Sequence, residues 1–429
     1  MRIRWRDREK ALVLCAHGAD AVGTLAFTKV LAISLTKSEM GAYMLAASAL
    51  ALMLLIFSTI DQGFFRGIVG YETNGTLKRR YTALLVGYST VAMVLPWALL
   101  PASRVAGRLA HSGGDHRFPA PYVVLFSCWL FMEALKNVST STANVLRRRL
   151  DYTLAKFVEQ GAKLLLLLVA VRYAPPVGAK TVILILAGTA GAVAAFSLVR
   201  QRGLWGQCSR ADFAVFGDSA RFVWPLFIWG AFTWMHNMSG RWVLAWFLDD
   251  VTVANFGILA STATVPVTLL LGVIGTYALP IIYRREDEVP GSAWNYIARL
   301  VKMLAPAMVV GVVVAAIFPA QIIRAISSAA YTGYARYLPY MVAATALNAA
   351  GSVVAYNAFA SRKTNRLLVA NIVPGVASLA SAIYLVPRYG IRGAVMAFIV
   401  AHALFFTLHM RVFWGARAQQ HQGAVFVNT

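Results

Sequence analysis

The sequence predicts an all-α polytopic membrane protein, with twelve transmembrane helices in two six-helix lobes related by a pseudo-two-fold axis along the membrane normal. Three observations carry that reading. First, 59% of the 429 residues are hydrophobic and only 13% charged, against about 25% charged in a soluble domain. With a mean hydropathy of +0.64, a soluble enzyme, a disordered chain and a fibrous chain are excluded. Second, twelve stretches reach the length of about 20 apolar residues needed to cross the hydrocarbon. Third, short motifs of the first half recur in the second at a constant offset of 213 residues.

The twelve spans fall near 11–35, 41–63, 82–100, 121–143, 157–173, 178–199, 222–248, 253–280, 298–320, 338–360, 367–386 and 391–413. The implied organisation is a tail over 1–10, a lobe over 11–200, a linker over 201–221, a second lobe over 222–414 and a tail over 415–429. The repeat is read from pairs at the same offset. Val30-Leu31-Ala32 corresponds to Val243-Leu244-Ala245, Tyr43 to Phe256, Leu45 to Ile258, Ala47-Ser48 to Ala260-Ser261 and Asn144 to Asn357. Six helices separate the members of each pair, so the repeats share one orientation, an arrangement known in transporters.

Forty Lys and Arg against 17 Asp and Glu give a formal charge of +23. In a soluble chain such an excess points to nucleic acid; here it follows the positive-inside rule, and no nucleic-acid partner is expected. One set of alternating loops with both tails holds 26 Lys and Arg, and the opposite set holds 10. Both termini are therefore expected in the cytoplasm, with MRIRWRDREK a retained tail. Cys15, Cys128 and Cys208 show no disulfide or metal-ligand spacing, and neither a metal nor a cofactor is expected. The outward loop between Pro101 and Pro121 holds one acid, Asp115, beside His111 and His116, and reads as a flexible loop. It lacks the catalytic acids of a membrane glycosyltransferase or polymerase, so the enzyme class is rejected.

Ionisable groups inside the spans cost about 2.5–3.5 kcal/mol each on insertion scales, so each needs a reason. His17 and Asp20 share one face of helix one; they are either a local pair or a site for a coupling ion, with Glu133 the next candidate. Glu133, Lys136, Asn137, Thr140 and Asn144 form a polar stripe on helix four. Glu133 with Lys136, and Glu159 with Lys163, are intrahelical pairs by spacing, or parts of a substrate path. Lys163 is near enough to the interface to snorkel. His402 and His409 read as packed neutral histidines, and Asp249-Asp250 as the N-cap of helix eight.

Lys29 and Arg241 have no acidic residue three or four positions away in their own helices, and Thr28 corresponds to Arg241 across the repeat. One cation from each lobe at similar depth makes a clamp for an anion such as diphosphate, the Arg fork bonding phosphate oxygens bidentately. Arg66, at the cytoplasmic end of helix two, is either a first contact or an ordinary positive-inside residue. Lys29, Arg66, Lys136 and Arg241 are thus the candidate substrate-binding residues. Trp224, Trp229, Trp234 and Trp242 on helix seven suit sugar stacking or anchoring.

Residues 31–85 carry Glu39-Met40-Gly41-Ala42-Tyr43 after a turn, Asp61-Gln62-Gly63 late in helix two, and Arg66 before Tyr71-Glu72. Pro387-Arg388-Tyr389-Gly390-Ile391-Arg392-Gly393-Ala394 precedes the last helix. This pattern resembles the polysaccharide-transporter branch of the multidrug/oligosaccharidyl-lipid/polysaccharide exporters. The resemblance implies a flippase for a polyprenyl-diphosphate-linked oligosaccharide in the bacterial cytoplasmic (inner) membrane. Its partners would be that glycan lipid, membrane lipids and other polysaccharide assembly proteins. A drug or small-solute exporter of the same fold is the alternative. Part of the pattern is punctuation: Thr36-Lys37-Ser38-Glu39 is a capping box, Gly41 and Gly63 permit close approach, and Pro387 with Gly390 marks a turn.

Overall fold

The computed structural model describes residues 2–109, 120–289, 291–361 and 365–427. His111, Asp115 and His116, and the basic pair Arg362-Lys363, lie outside the described residues. Among those described the secondary structure is helical throughout. The α-helices are α1 (Arg2–Ser34), α2 (Lys37–Thr73), α3 (Leu77–Leu109), α4 (Ala120–Val145), α5 (Arg149–Tyr173), α6 (Ala179–Arg200), α7 (Ala214–Phe247), α8 (Asp250–Glu288), α9 (Ser292–Ile317), α10 (Pro319–Ile326), α11 (Leu338–Ala360), α12 (Arg366–Tyr389) and α13 (Ile391–Val427). All but α10 are long, and each of the twelve expected spans falls within its own long helix, give or take a few end residues. The short α10 and the 3₁₀ stretch Ala329–Tyr337 were not expected; they fold the connection between α9 and α11.

Eight of the helical segments are apolar and long enough to cross a membrane by composition alone. Helices α1 and α5 are not among them because they carry charge within the span, and the next subsection shows where that charge goes.

The chain divides into two compact units, Met1–Phe227 and Ile228–Thr429. The division falls inside α7, six residues beyond the lobe start of 222 read from the sequence. The reason is local packing. Val215 is fully buried in the core of the first unit, Phe216 lies against Tyr88 with ring centres 6.1 Å apart, and Ser219 meets Gly63 so closely that a Cβ on Gly63 would sit 2.8 Å from the Ser219 Cα. Gly63 is therefore needed for close approach of α2 to the start of α7.

The offset of 213 holds at the level of helix ends. Helix α1 ends at Ser34 and α7 at Phe247; α2 starts at Lys37 and α8 at Asp250. Even the caps correspond: Thr36 accepts the Glu39 N–H and Asp249 accepts the Thr252 N–H. The same helix pairs also pack within each unit: α4 with α6 as α11 with α13, α3 with α4 as α9 with α11, and α2 with α4 as α8 with α11. The α1–α5 pairing returns as α7–α12, where the Ser239 and Ser378 hydroxyls lie 2.9 Å apart. Each unit thus buries its own core, led by Phe57, Phe64, Tyr81, Tyr88, Trp129 and Leu130 in the first and by Ile282, Trp294, Ile297, Val353 and Phe413 in the second.

After α6 the chain stays on the first unit. Gln201 is buried, accepts the Tyr81 hydroxyl at 2.7 Å and donates to the Ser139 carbonyl at 2.7 Å, tying the linker to α3 and α4. Further on, the Gly206 N–H donates to Thr82 Oγ1 at 3.1 Å. The backbone N–H and hydroxyl of Ser209 both donate to Asp212, which holds that carboxyl below the usual carboxylate range.

A buried hydrogen-bonding side chain removed without its partners leaves them unsatisfied, at about 1–3 kcal/mol. Gln201→Leu should therefore lower the thermal unfolding midpoint of the detergent-solubilised protein by several degrees. The double variant Gln201→Leu/Tyr81→Phe, which removes both ends of one bond, should recover part of that loss.

Candidate functional site

The first unit encloses a charged interior built by three helices. On α5, Lys156, Glu159, Gln160 and Lys163 recur at helical spacing and share one face. Helix α4 brings Glu133 and Lys136, and α1 brings Asp20. The Lys136 ammonium sits 2.6 Å from Glu133 Oε2 and 2.7 Å from Glu159 Oε1, with its side chain 7% exposed. On the other side of Glu159, Lys156 lies 3.5 Å from Oε2 and also 3.7 Å from Asp20 Oδ1. Asp20 in turn accepts a hydrogen bond from the Gln160 amide. A Cβ on Gly23 would collide with the Gln160 side chain, so Gly23 is what lets α5 reach across to α1. Lys163 completes the face with its ammonium 5.4 Å from the centre of the Phe27 ring. Three carboxylates and three ammoniums make up this interior, so its formal charge is zero.

This arrangement replaces two separate intrahelical pairs with one network across α1, α4 and α5. The Glu133–Lys136 pair forms as its spacing suggests. Glu159, however, takes Lys136 and Lys156 as partners, and Lys163 goes to the aromatic ring. The physical reason is mutual desolvation: a buried Lys136 needs more counter-charge than one neighbour on its own helix supplies. Lower on the α4 stripe, Thr140 donates to the Lys136 carbonyl at 2.8 Å and Asn144 accepts from Arg149.

Of the seven residues singled out from the sequence, the structure brings Asp20, Glu133 and Lys136 into this network. His17 and Lys29 lie half-buried on α1, and Arg66 is exposed on α2. Arg241 is half-buried on α7 within the second unit.

Sequence reasoning missed other polar anchors. Asp61 is buried at 5% exposure and accepts the Tyr88 hydroxyl at 2.8 Å; that oxygen also lies 2.7 Å from the Phe57 carbonyl. Glu39 forms only half of its capping box, because its own carboxylate accepts the Ala179 N–H at 2.6 Å and caps the start of α6 instead. A carboxylate there also meets the positive end of the helix dipole. Gln160 gave no signal because a neutral amide in an apolar helix does not stand out among polar neighbours.

The interior of the second unit is of another kind. His236 on α7 and His402 on α13 are buried with ring centres 5.0 Å apart in a T-shaped arrangement, and His409 is buried one helical face-repeat beyond His402. Among the described residues, no group of three His, Cys, Asp or Glu is placed to hold a metal ion.

No protein-family model matches the sequence, and no curated protein matches it. Solved structures do. A multidrug resistance MATE family transporter of the MOP superfamily, inward-facing, aligns with a TM-score of 0.65 at 14% identity over 94% of this chain and 96% of that one. The lipid II flippase MurJ in an inward closed conformation aligns with a TM-score of 0.69 at 11% identity, over 94% of this chain and 87% of that one. A MOP superfamily transporter from Pyrococcus furiosus, whose binding pocket is described as reversed in polarity, aligns at 0.62 with 13% identity over 96% and 95%. At these identities the likeness establishes the fold: the chain has the all-helical, two-lobe architecture of MOP superfamily transporters.

Removing one member of a buried ion cluster strands the rest, at about 3–5 kcal/mol. Lys136→Met should thus sharply reduce the yield and unfolding temperature of the folded protein. Lys136→Met combined with Glu133→Gln removes one charge of each sign, keeps the network neutral and should restore much of the loss. Thermal unfolding in detergent compares the two.

Proposed function

We propose that this protein is a flippase that moves a polyprenyl-diphosphate-linked oligosaccharide from the cytoplasmic to the outer leaflet of the bacterial inner membrane, for surface polysaccharide assembly. The observation that carries this reading is the state of the carboxylates within the spans. Asp20, Glu133 and Glu159 are engaged by lysines or by Gln160, and Asp61 is held by Tyr88. A cationic drug would find its natural counter-charges already taken. The fold shared with a lipid II flippase supports the same cargo class by analogy.

A sugar head group cannot enter hydrocarbon without losing water from each hydroxyl, at several kcal/mol apiece. Its polyprenyl tail can stay in lipid while the head passes through a polar path exposed to each side in turn, as in alternating access by two repeats. In this reading Lys29 and Arg241 grip diphosphate oxygens, Arg66 makes the first cytoplasmic contact, and Lys136 shapes the path from behind its two glutamates. Outward movement of an anion runs down the electrical gradient of a cell that is negative inside, worth about 2.3 kcal/mol per net charge per 100 mV. His17, Asp20 and Glu133 form the group whose protonation would couple to a pH gradient. Membrane lipids and other polysaccharide assembly proteins are the expected partners. The second reading, a drug or small-solute exporter, is favoured by the fold shared with MATE transporters.

Deleting the protein should accumulate lipid-linked oligosaccharide on the cytoplasmic face, identified by mass analysis of the glycan. Lys29→Ala and Arg241→Ala should each abolish complementation at near-normal protein levels, while Lys29→Arg and Arg241→Lys should rescue partially. Normal export by both alanine variants would make these cations structural. Failure to accumulate the glycan lipid, together with drug sensitivity, would move the assignment to the exporter.

A further inference from the structure

We infer that His236, His402 and His409 form a proton-binding site inside the second unit. The first support comes from what that unit lacks. Its carboxylates are Asp249, Asp250, Glu286, Asp287 and Glu288, all at the α7–α8 turn or the end of α8, and none follows to the end of the chain. Within its spanning helices, imidazole takes the place of carboxylate as the side chain that can change charge by gaining a proton.

The second support is the hydrogen inventory. His402 Nδ1 lies 2.8 Å from the Phe398 carbonyl and His409 Nδ1 lies 2.8 Å from the Phe405 carbonyl. A carbonyl only accepts, so in both rings Nδ1 carries the hydrogen and Nε2 is left as an acceptor. Both Nε2 atoms are buried without a partner, and the Asn348 side chain lies in hydrogen-bond contact with His236. Two buried ring acceptors with no donor among the described residues are costly. One added proton turns such a ring nitrogen from an unanswered acceptor into a donor. His236 and His402, with ring centres 5.0 Å apart, are the pair placed to share that charge.

The surroundings fit a proton better than a metal. From α7 come Asn237, whose amide lies 3.2 Å from His236 Nε2, and Arg241 five residues further on; from α12 comes Ser378, which donates to the His236 carbonyl at 3.3 Å. Helix α11 contributes Asn348, and α8 faces the cluster with Phe256 against Phe398. No carboxylate is among them to neutralise a metal ion. His409 lines a crevice with Asn357, Ser361 and Arg366, and the Phe405 ring sits between His409 and His236, at 4.0 and 5.3 Å.

The test uses the full chain, labelled with ¹⁵N-histidine and held in lipid nanodiscs, where imidazole nitrogens report tautomer and protonation directly. At about pH 8 the His402 and His409 signals should both show the Nδ1–H tautomer. Lowering the pH to about 4 should produce one imidazolium shared by His236 and His402, an uptake of about one proton titrating as a coupled pair. His402→Gln should remove that uptake, and added sodium should leave the spectrum unchanged. If the wild-type cluster stays neutral over the whole range, titrates as independent histidines, or shifts with sodium, the inference is overturned. The wild-type titration needs neither a variant nor transport, so its result stands apart from the flippase reading. Any role of the proton in driving transport rests on that reading.

Discussion

One constraint shapes the interior of the first unit: a charge buried in a spanning helix is held by opposite charge from the same lobe. Lys136 shows how. Its ammonium is held by Glu133 from its own helix and Glu159 from α5, and Glu159 passes the link through Lys156 to Asp20 on α1. Three helices are thereby registered against one another by charge, where apolar packing alone would leave them free to slide against neighbours as greasy as lipid. Gly23 and Gln160 set how closely α1 and α5 approach, so the polar contact also fixes the packing.

The two units keep one architecture and diverge in chemistry. Helices α1 and α7 end and α2 and α8 start at corresponding residues, the caps are Thr36 and Asp249, and the same pairs of helices pack. Yet where the first unit encloses three carboxylates and three lysines, the second encloses imidazoles and amides. The repeat therefore constrains backbone and leaves the interior free to specialise. A lobe whose charges are internally balanced is suited to hold its shape during a cycle. A lobe whose described interior carries histidines in place of carboxylates is suited to change charge.

Much of this was legible in the sequence because hydrocarbon imposes simple rules. Span length follows from bilayer thickness, so each expected span found its helix. Thr36 and Asp249 announced two helix starts, and the i, i+3 spacing of Glu133 and Lys136 announced their pairing. What stayed hidden depended on which helices touch. Glu159 reaches Lys136 across 23 residues and Tyr88 reaches Asp61 across 27, and no periodicity within one helix encodes such contacts. Glu39 is the instructive case: its place in a capping box was readable, but its carboxylate caps α6 because that helix start lies within reach. Gln201 and Gln160 were hidden for a related reason, since a neutral amide carries no insertion penalty large enough to demand explanation.

The central claim is that the cargo is an anionic lipid-linked head group, and reconstitution tests it most directly. Purified protein in liposomes should transfer a defined polyprenyl-diphosphate oligosaccharide between leaflets without nucleotide, faster with the potential negative on the donor side. The same vesicles should not accumulate a lipophilic cationic dye. Dye movement without transfer of the glycan lipid would contradict the account.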